Sequence, residues 1–226
     1  MANRYLSRFV RAVFTAYPKV FSQKKSSRYL QVGNPLRRQL IERSQQSRSN
    51  ENYLRLLVLG GSQGATIFNT RVPDLLGQLQ DKSRVQITHI AGPKADKQAV
   101  MDAYKKHGFD ACVQDMASLY LNTDLVLARS GALTLSELMQ FSLPAFLVPL
   151  PSSADNHQFY NALYHHRFGA CQLIEQTQLL EDHYLANCVH AFISDPALRK
   201  RMQQSAKRLK TPKAAESIIA ECEALV

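Results

Sequence analysis

Short apolar runs alternate with longer amphipathic stretches through most of this 226-residue chain. The runs are rich in Val, Leu and Ile, which is typical of strands buried on both faces of a sheet. They predict strands over residues 54–59, 85–90, 110–113, 124–128, 145–149 and 170–174. The stretches between them predict helices near 64–80, 94–107, 116–122, 133–141 and 156–168. This alternation indicates an α/β fold: a Rossmann-like, doubly wound parallel sheet with helices on both faces.

The two ends of the chain do not follow this alternation of strands and helices. From about residue 177 the spacing is helical, and Asp195-Pro196 and Thr211-Pro212 each predict a helix start with proline at the first position. Near the N-terminus the apolar residues share one side of a predicted helix: Tyr5, Leu6, Phe9, Val10, Val13 and Phe14. Such a stripe indicates a helix facing the core, which we favour, or a basic amphipathic helix on a membrane surface.

Two polar stretches divide the first third of the chain. Residues 23–28 form a linker before the short run 29–32, and residues 44–52 separate a brief helix from the first strand of the main domain. The length and the apolar content of 45% allow one large domain, or one and a fraction.

The positive charge is concentrated at the N-terminal end. The net charge is +10, and residues 1–50 contain eleven Lys and Arg but a single acid, Glu42, so that residues 51–226 are neutral overall. A basic segment on a neutral body indicates contact with phospholipid headgroups, nucleic acid or a phosphorylated substrate, the alternative being an ordinary solvated surface. We expect no nucleic-acid partner, because no helix-turn-helix, RNA-recognition or zinc signature accompanies the charge.

The cysteines and the absence of a targeting signal indicate a cytoplasmic protein. Cys112, Cys171, Cys188 and Cys222 are far apart and show no metal-ligand spacing, so we expect reduced, mostly buried thiols. The sequence contains no export signal and no apolar run long enough to span a bilayer.

Two predicted strands run directly into loops of small residues. Leu56–Leu59 is followed by Gly60–Ala65, and Leu125–Ala128 is followed by Arg129–Thr134. A strand that turns through such residues into a helix presents unpaired backbone N–H groups at the positive end of the helix dipole, where phosphate binds. Two such loops in one sheet predict a nucleotide diphosphate lying across the strand ends. The alternative for each loop is a tight turn that requires small residues.

Three further groups of polar residues suit a nucleotide-linked sugar. Glu137 lies one turn into the helix after the second loop, where it could accept ribose hydroxyls or simply favour the helix dipole. Arg37 leaves the turn that begins at Gly33 and presents a fork that matches pyrophosphate oxygens. His157, Gln158 and Asn161 are spaced to share one helical face that could bind sugar hydroxyls, the alternative being a polar helix start.

No motif in the chain indicates a metal or another cofactor. There is no Asp-x-Asp pair and no histidine–carboxylate cluster with metal-ligand spacing. Helix N-termini and Arg37 would therefore have to stabilise a departing diphosphate. We identify no general base and no catalytic residue.

Taken in order, the motifs G-N-P-L-R, G-G-S-Q-G-A, R-S-G-A-L-T-L-S-E and P-S-S-A-D-N-H-Q-x-x-N-A closely resemble the donor-binding half of the bacterial MurG family. These are the N-acetylglucosaminyltransferases that convert lipid I to lipid II in peptidoglycan synthesis. The resemblance implies the C-terminal half of a GT-B glycosyltransferase. Residues 33–226 would form the domain that binds the UDP-sugar donor, and residues 1–32 would be a remnant of a truncated acceptor domain with its linker.

The resemblance also implies roles for individual residues. Arg37, Ser62 and Gln63 would lie at the diphosphate, and Glu137 would hold the ribose. Val113 would bond the uracil edge through its backbone. The remaining donor-site residues would contact phosphate and sugar, and they are Ala132, Leu133, Thr134, His157, Gln158 and Asn161.

Residues 1–32 contain no match to the family's glycine-rich acceptor segment, which supplies its catalytic histidine. We therefore expect the chain to bind UDP-N-acetylglucosamine with little or no turnover. Lipid I would be a partner only if an N-terminal domain were supplied. The reaction would be inverting and independent of metal. The expected location is the cytoplasm, where the chain could also attach peripherally to the cytoplasmic face of the inner membrane. The alternative function is a non-catalytic module that docks on an anionic membrane or on a partner.

Overall fold

The computed structural model describes residues 5–17, 28–46, 52–109 and 119–224. Its strands are β1 Val13–Thr15, β2 Tyr29–Gln31, β3 Leu54–Leu59, β4 Val85–Ile90, β5 Leu125–Ala128, β6 Ala145–Leu147 and β7 Cys171–Leu173. Its helices are α1 Arg38–Arg43, α2 Thr66–Gly77, α3 Lys97–Lys106, α4 Ala132–Gln140, α5 His157–Arg167, α6 Tyr184–Ser194, α7 Pro196–Arg208 and α8 Ala214–Glu223. Short 3-10 turns cover Lys82–Arg84, Tyr120–Asn122, Ala154–Asn156 and Gln176–Leu180.

Five strands form one parallel sheet in the order β4-β3-β5-β6-β7. The prediction of an α/β, Rossmann-like parallel sheet is confirmed, and β3 and β4 have the predicted bounds. The predicted strand over 110–113 lies outside the described residues. Because the chain passes from β3 to β4 on one side and then to β5 on the other, the order reverses between β3 and β5. At such a switch point the loops leaving adjacent strands diverge and open a crevice.

Each face of the sheet is covered by its own layer of buried side chains. Successive residues of a strand point to opposite faces. Leu56 and Val58 therefore pack in one cluster, with α2, α3 and α6, and Leu57 and Leu59 pack in the other, with α4 and α5. Burial on both faces explains why β3 is apolar from Leu56 to Leu59 rather than alternating. Arg55, near its start, is buried as an ion pair with Asp124 at 2.7 Å.

The N-terminal segment differs from its prediction. Residues 13–15 are extended and pair in parallel with β2, so the helix predicted to run to Phe14 is wrong. The side chains of Tyr5, Leu6 and Phe9 are 62%, 55% and 71% exposed, so the core-facing interpretation is also wrong for them. Val13 is β-branched and suits a strand, and its N–H donates to the Arg28 carbonyl at 2.8 Å. Pairing with a distant segment thus overrides the local helical spacing.

The C-terminal part consists of three helices with breaks between them. The predicted cap at Asp195 is confirmed, because its carboxylate accepts a hydrogen bond of 2.8 Å from the Leu198 N–H at the start of α7. The cap predicted at Thr211 is wrong, since α8 begins at Ala214. Thr211 packs against Gly33 instead, where an added Cβ would lie 2.6 Å from the Thr211 Cβ.

The turn at Gly33 joins the N-terminal segment to the main domain. Gly33 has a φ of +87°, which favours glycine, and the next residue, Asn34, donates hydrogen bonds to the start of α4. The boundary between residues 32 and 33 stays a prediction. No helix in the described part of the chain is long and apolar enough to cross a membrane.

Candidate functional site

An open cleft of about 620 Å³ lies at the carboxyl ends of β3 and β5, at the switch point of the sheet. The loop after β3 forms one wall, and the loop after β5 forms the other. The lining consists of Gly60, Gly61, Ser62, Gln63, Gly64, Ala65, Thr66, Ile67, Arg129, Gly131, Thr134, Leu150, Gln158 and Gln176. The two loops predicted to bind phosphate therefore face one another across a single space.

The loop after β3 packs closely on the loop after β4. Gly64 and Gly92 have φ values of +76° and +96°, and a Cβ added to Gly92 would lie 2.6 Å from the Gly64 Cα. Such an approach between two backbones is possible only without side chains, which explains the glycines here. The contact fixes the wall of the cleft that Ser62 and Gln63 line.

Two helices point their N-termini at the cleft. The cap residues of α2 and α4 are Ala65 and Gly131, and neither offers a side-chain acceptor to the first turn. The first N–H groups of a helix have no partner within it, and the dipole makes that end positive. Thr66 and Thr134, within these first turns, line the cleft. The space between the helices therefore suits an anion with several oxygen acceptors.

Arg129 adds a full positive charge to the same cleft. Its guanidinium donates hydrogen bonds to the carbonyls of Val148 and Pro149, both at 3.1 Å, and to the Gln176 side chain at 2.7 Å. Burial lowers its pKa, but an arginine stays charged at neutral pH. Arg129 is 8% exposed; among the described residues it forms no ion pair, and none of those that line the cleft carries a carboxylate. The charge is therefore neutralised by no acid of the described chain.

A smaller cavity of about 140 Å³ lies beside α4 and α5. It is lined by Tyr17, Ser136 and His165 together with the end of α7, and none of its residues belongs to the loops after β3 or β5. Its position beside the helices, away from the strand ends, makes the larger cleft the candidate site. In the described ranges, no three His, Cys, Asp or Glu side chains are grouped so that they could hold a metal ion.

The family model of the glycosyltransferase family 28 C-terminal domain matches residues 55–218, which is most of the chain and includes both walls of the cleft. The chain belongs to glycosyltransferase family 28. This match confirms the predicted glycosyltransferase C-terminal half, and the relatives and the solved structure that follow confirm its resemblance to MurG.

Family 28 relatives align along the whole chain. A UDP-N-acetylglucosamine--N-acetylmuramyl-(pentapeptide) pyrophosphoryl-undecaprenol N-acetylglucosamine transferase from Anaeromyxobacter sp. (strain K) is 40% identical over 231 residues, covering 100% of this chain. The enzyme of that name from Hahella chejuensis is 36% identical over 98% of this chain. The chain spans 60% and 62% of the lengths of these two relatives.

Solved structures support the same fold. The crystal structure of Acinetobacter baumannii MurG matches with a TM-score of 0.78 at 27% identity, over 99% of this chain and 64% of that one. The calicheamicin glycosyltransferase CalG4 matches at 17% identity with a TM-score of 0.62, over 100% of this chain and 57% of that one, which supports the fold alone. The GT-B fold prediction is confirmed.

In this family 28 domain, Glu137 lies one turn beyond the start of α4. Its Oε2 accepts a hydrogen bond of 2.8 Å from the Tyr120 hydroxyl. Burial raises the pKa of the Glu137 carboxyl, whereas the Tyr120 hydrogen bond and the charge of Arg37 lower it. Arg37 is exposed at the start of α1, close enough to act on Glu137 through its charge. The structure therefore brings these two predicted residues together, beside the cleft rather than in its lining.

Four of the predicted site residues line the cleft: Ser62, Gln63, Thr134 and Gln158. Ala132 and Leu133 form the first turn of α4 beside it. The carbonyl of Ala132 accepts hydrogen bonds from Tyr17, Asn34 and Ser136, and these hold the helix start in place.

The residues predicted at the start of α5 have three different surroundings. Gln158 lines the cleft and accepts a hydrogen bond of 3.1 Å from the Leu150 N–H. Asn161 is buried and donates to the Ser130 carbonyl at 3.1 Å, so it supports the loop after β5. His157 is exposed, and its Nδ1 contacts the Ala154 carbonyl at 2.6 Å. Val113 lies outside the described residues.

Sequence reasoning missed three residues of this region: Arg129, Gln176 and Tyr120. Arg129 carried a usable signal, because it is a charged residue directly after a wholly apolar strand. Gln176 and Tyr120 lie in short 3-10 turns that no apolar periodicity marks. Their places in the site depend on contacts with residues distant in sequence.

Proposed function

We propose that the cleft binds UDP-N-acetylglucosamine and that the chain is the donor-binding half of a glycosyltransferase of peptidoglycan synthesis. One observation carries the proposal: two uncapped helix N-termini and the cation Arg129 converge on one cleft whose described lining contains no carboxylate. A diphosphate is the ligand that this arrangement suits best, because it has several acceptor oxygens and a high negative charge.

The spacing along α4 suits the rest of a nucleotide. Glu137 lies five residues beyond Ala132, which is about 7.5 Å along a helix axis. A diphosphate held at the helix start would leave its ribose within reach of that carboxylate, which can accept both hydroxyls of a diol. Gln158 would face the sugar from the other side of the cleft. The names of the family 28 relatives support UDP-N-acetylglucosamine as the particular donor.

The chemistry assigned to this half is stabilisation of the leaving group. When the bond between sugar and diphosphate breaks, negative charge develops on the diphosphate, and fixed N–H dipoles and Arg129 stabilise that charge without rearranging. The acceptor would be a lipid-linked muramyl sugar, bound outside the 60% of the relatives' length that this sequence spans. We therefore expect donor binding with little or no transfer by this chain alone.

Calorimetric titration with UDP and with UDP-N-acetylglucosamine tests the proposal. The chain should bind both, and Glu137→Ala should weaken both by about tenfold through loss of a charged hydrogen-bond acceptor. 2′-Deoxyuridine diphosphate, which differs from UDP only in lacking the 2′-hydroxyl, is the matched control ligand and should bind more weakly. Absence of binding by the wild-type chain would overturn the proposal, as would equal affinity of the wild type and Glu137→Ala for UDP.

A second candidate function rests on the exposed apolar side chains of Tyr5, Leu6 and Phe9. The rings of Tyr5 and Phe9 lie 5.3 Å apart, and the segment around them is rich in arginine. Aromatic residues beside cations suit peripheral attachment to an anionic membrane. Sedimentation with phosphatidylglycerol vesicles should show binding that weakens with added salt and in Phe9→Ser. Binding that is equal for Phe9→Ser and the wild type would exclude this surface.

A further inference from the structure

We infer that Tyr120 is a positioning residue that holds the Glu137 carboxylate in the orientation required to accept the hydroxyls of a ribose. This inference rests on the proposed function, because it names the residue that prepares Glu137 for the nucleotide. It stands on the hydrogen bond of 2.8 Å from the Tyr120 hydroxyl to Oε2 of Glu137.

The ring of Tyr120 is fixed by packing. It is 1% exposed and belongs to the buried cluster on the α4 side of the sheet, where its centroid lies 5.2 Å from that of Phe141. The turn that carries it is held by a hydrogen bond of 2.7 Å from the Thr123 hydroxyl to the Leu119 carbonyl. Because neither the ring nor its turn can shift freely, the hydroxyl occupies a defined point beside α4.

That fixed hydroxyl determines the plane of the Glu137 carboxylate. A glutamate side chain has three rotatable bonds, and ordering it costs conformational entropy that a ligand would otherwise have to supply. Each carboxylate oxygen has two lone pairs, so Oε2 can accept from Tyr120 and from a ligand hydroxyl together. Within the described residues, no hydrogen bond reaches Oε1 of Glu137. Both oxygens thus remain available to a diol after the side chain is ordered.

The hydrogen bond also favours the charged form of Glu137. A phenol at neutral pH donates to the ionised carboxylate, and burial raises the pKa of Tyr120 and so keeps it a donor. Two groups act on Glu137 from neighbouring elements: Tyr120 from the turn before β5, and Arg37 from the start of α1. Both lower the pKa of Glu137 and oppose the effect of burial, which raises it. Removing the hydroxyl should therefore raise that pKa.

Tyr120→Phe tests the role, since it keeps the buried ring and removes only the hydroxyl. We expect its affinity for UDP to fall about tenfold at pH 6, and to fall much less for 2′,3′-dideoxy-UDP, which has no ribose diol. Tyr164→Phe is the matched control, because it removes a tyrosine hydroxyl away from the cleft, and it should bind UDP as the wild type does. Equal losses for UDP and the dideoxy compound in Tyr120→Phe would overturn the role.

A pH series and a double variant separate positioning from a general loss of structure. The affinity deficit of Tyr120→Phe should persist at pH 8, because the carboxylate has lost the hydroxyl that orients it, and should grow as the pH is lowered, because the same hydroxyl lowers the pKa of Glu137. In a Glu137→Gln background, Tyr120→Phe should cost little further affinity, because the two residues act as one unit. Wild-type affinity of Tyr120→Phe at pH 8, or additive losses, would overturn the inference. If the wild type binds no UDP at all, the proposed function itself is wrong, which is a different result from a failure of the role inferred for Tyr120.

Discussion

The guanidinium carbon of Arg129 lies 4.9 Å from the centroid of the Phe68 ring. Phe68 belongs to the first turn of α2, and Arg129 begins the loop after β5, so the contact joins the two walls of the cleft across the switch point. An arginine over an aromatic face is stabilised by the ring quadrupole and needs no carboxylate. The arrangement keeps the cation in place while leaving its charge for a ligand.

We predict that Arg129→Gln lowers the affinity for UDP by about 100-fold, since it removes the only charged side chain in the described lining of the cleft. Arg129→Lys should give an intermediate loss, because it keeps the charge but not the planar fork. Titration calorimetry measures both. Arg38→Gln, at an exposed site paired with Glu42, is the control and should bind as the wild type does. Wild-type affinity in Arg129→Gln would contradict the assigned role.

Gly92→Ala should destabilise the fold more than Gly108→Ala does. Both glycines have positive φ values, +96° and +80°, so both variants incur the strain of a left-handed residue, about 1 kcal/mol. Only at Gly92 would the new methyl group meet backbone, 2.6 Å from the Gly64 Cα, whereas nothing lies within 4 Å at Gly108. We expect a loss of about 2–4 kcal/mol in the free energy of unfolding for Gly92→Ala.

Urea denaturation measures the difference between these two variants. UDP titration then shows whether the wall of the cleft has moved, because Gly92 supports the loop that carries Gly64. Equal free energies of unfolding for the two variants would mean that the loops after β3 and β4 can move apart without loss of stability.

The stability of the fold should fall as the pH is lowered from 6.5 towards 4. Burial lowers the pKa of His89 to about 4, and its ring contacts Tyr104 and Asn69 at 2.9 and 3.1 Å. The unfolded chain takes up this proton near pH 6.5 and the folded chain does not, so acid favours unfolding. The shifted pKa of His89 therefore makes the free energy of unfolding about 3 kcal/mol higher above pH 6.5 than it is below pH 4. His165, whose pKa burial also lowers, acts in the same direction.

Urea denaturation at pH 7 and pH 5 measures this effect. His89→Asn should be less stable at pH 7 but lose less stability between the two pH values than the wild type does. His190→Asn, at an exposed position of α6, should keep the wild-type dependence on pH. If His89→Asn loses as much stability between pH 7 and pH 5 as the wild type does, then groups other than His89 cause the pH dependence.

Asp195→Ala should lower the free energy of unfolding by about 1 kcal/mol, because α7 loses the acceptor of the Leu198 N–H. Asp195→Asn keeps a side-chain oxygen in that place and should cost little. Thermal unfolding followed by circular dichroism compares them. A loss in Asp195→Asn as large as that in Asp195→Ala would point to the weak ion pair with Arg201, at 3.6 Å, instead of the cap.

The sequence by itself determined the central sheet and the loops that leave it. Residues 54–59 have the predicted bounds because a central strand buried on both faces is apolar from Leu56 to Leu59. Residues 85–90 have them because more and less buried residues alternate along this edge strand. The small residues after β3 and β5 predicted helix starts that could bind an anion, and both lie at one cleft. These features depend on periodicity and on conformational limits of individual residues, which a single segment of chain encodes.

Only the tertiary structure decided which distant residues meet. Val13 became part of a strand because β2 supplied hydrogen-bond partners, and Thr211 lost its capping role because its side chain packs on Gly33. Tyr120 reached Glu137 only because the turn before β5 and the helix after it pack on the same face of the sheet. Such contacts join residues that are far apart in the sequence. Their interaction energies depend on burial and on distance in the folded chain, which the local spacing of apolar residues does not determine.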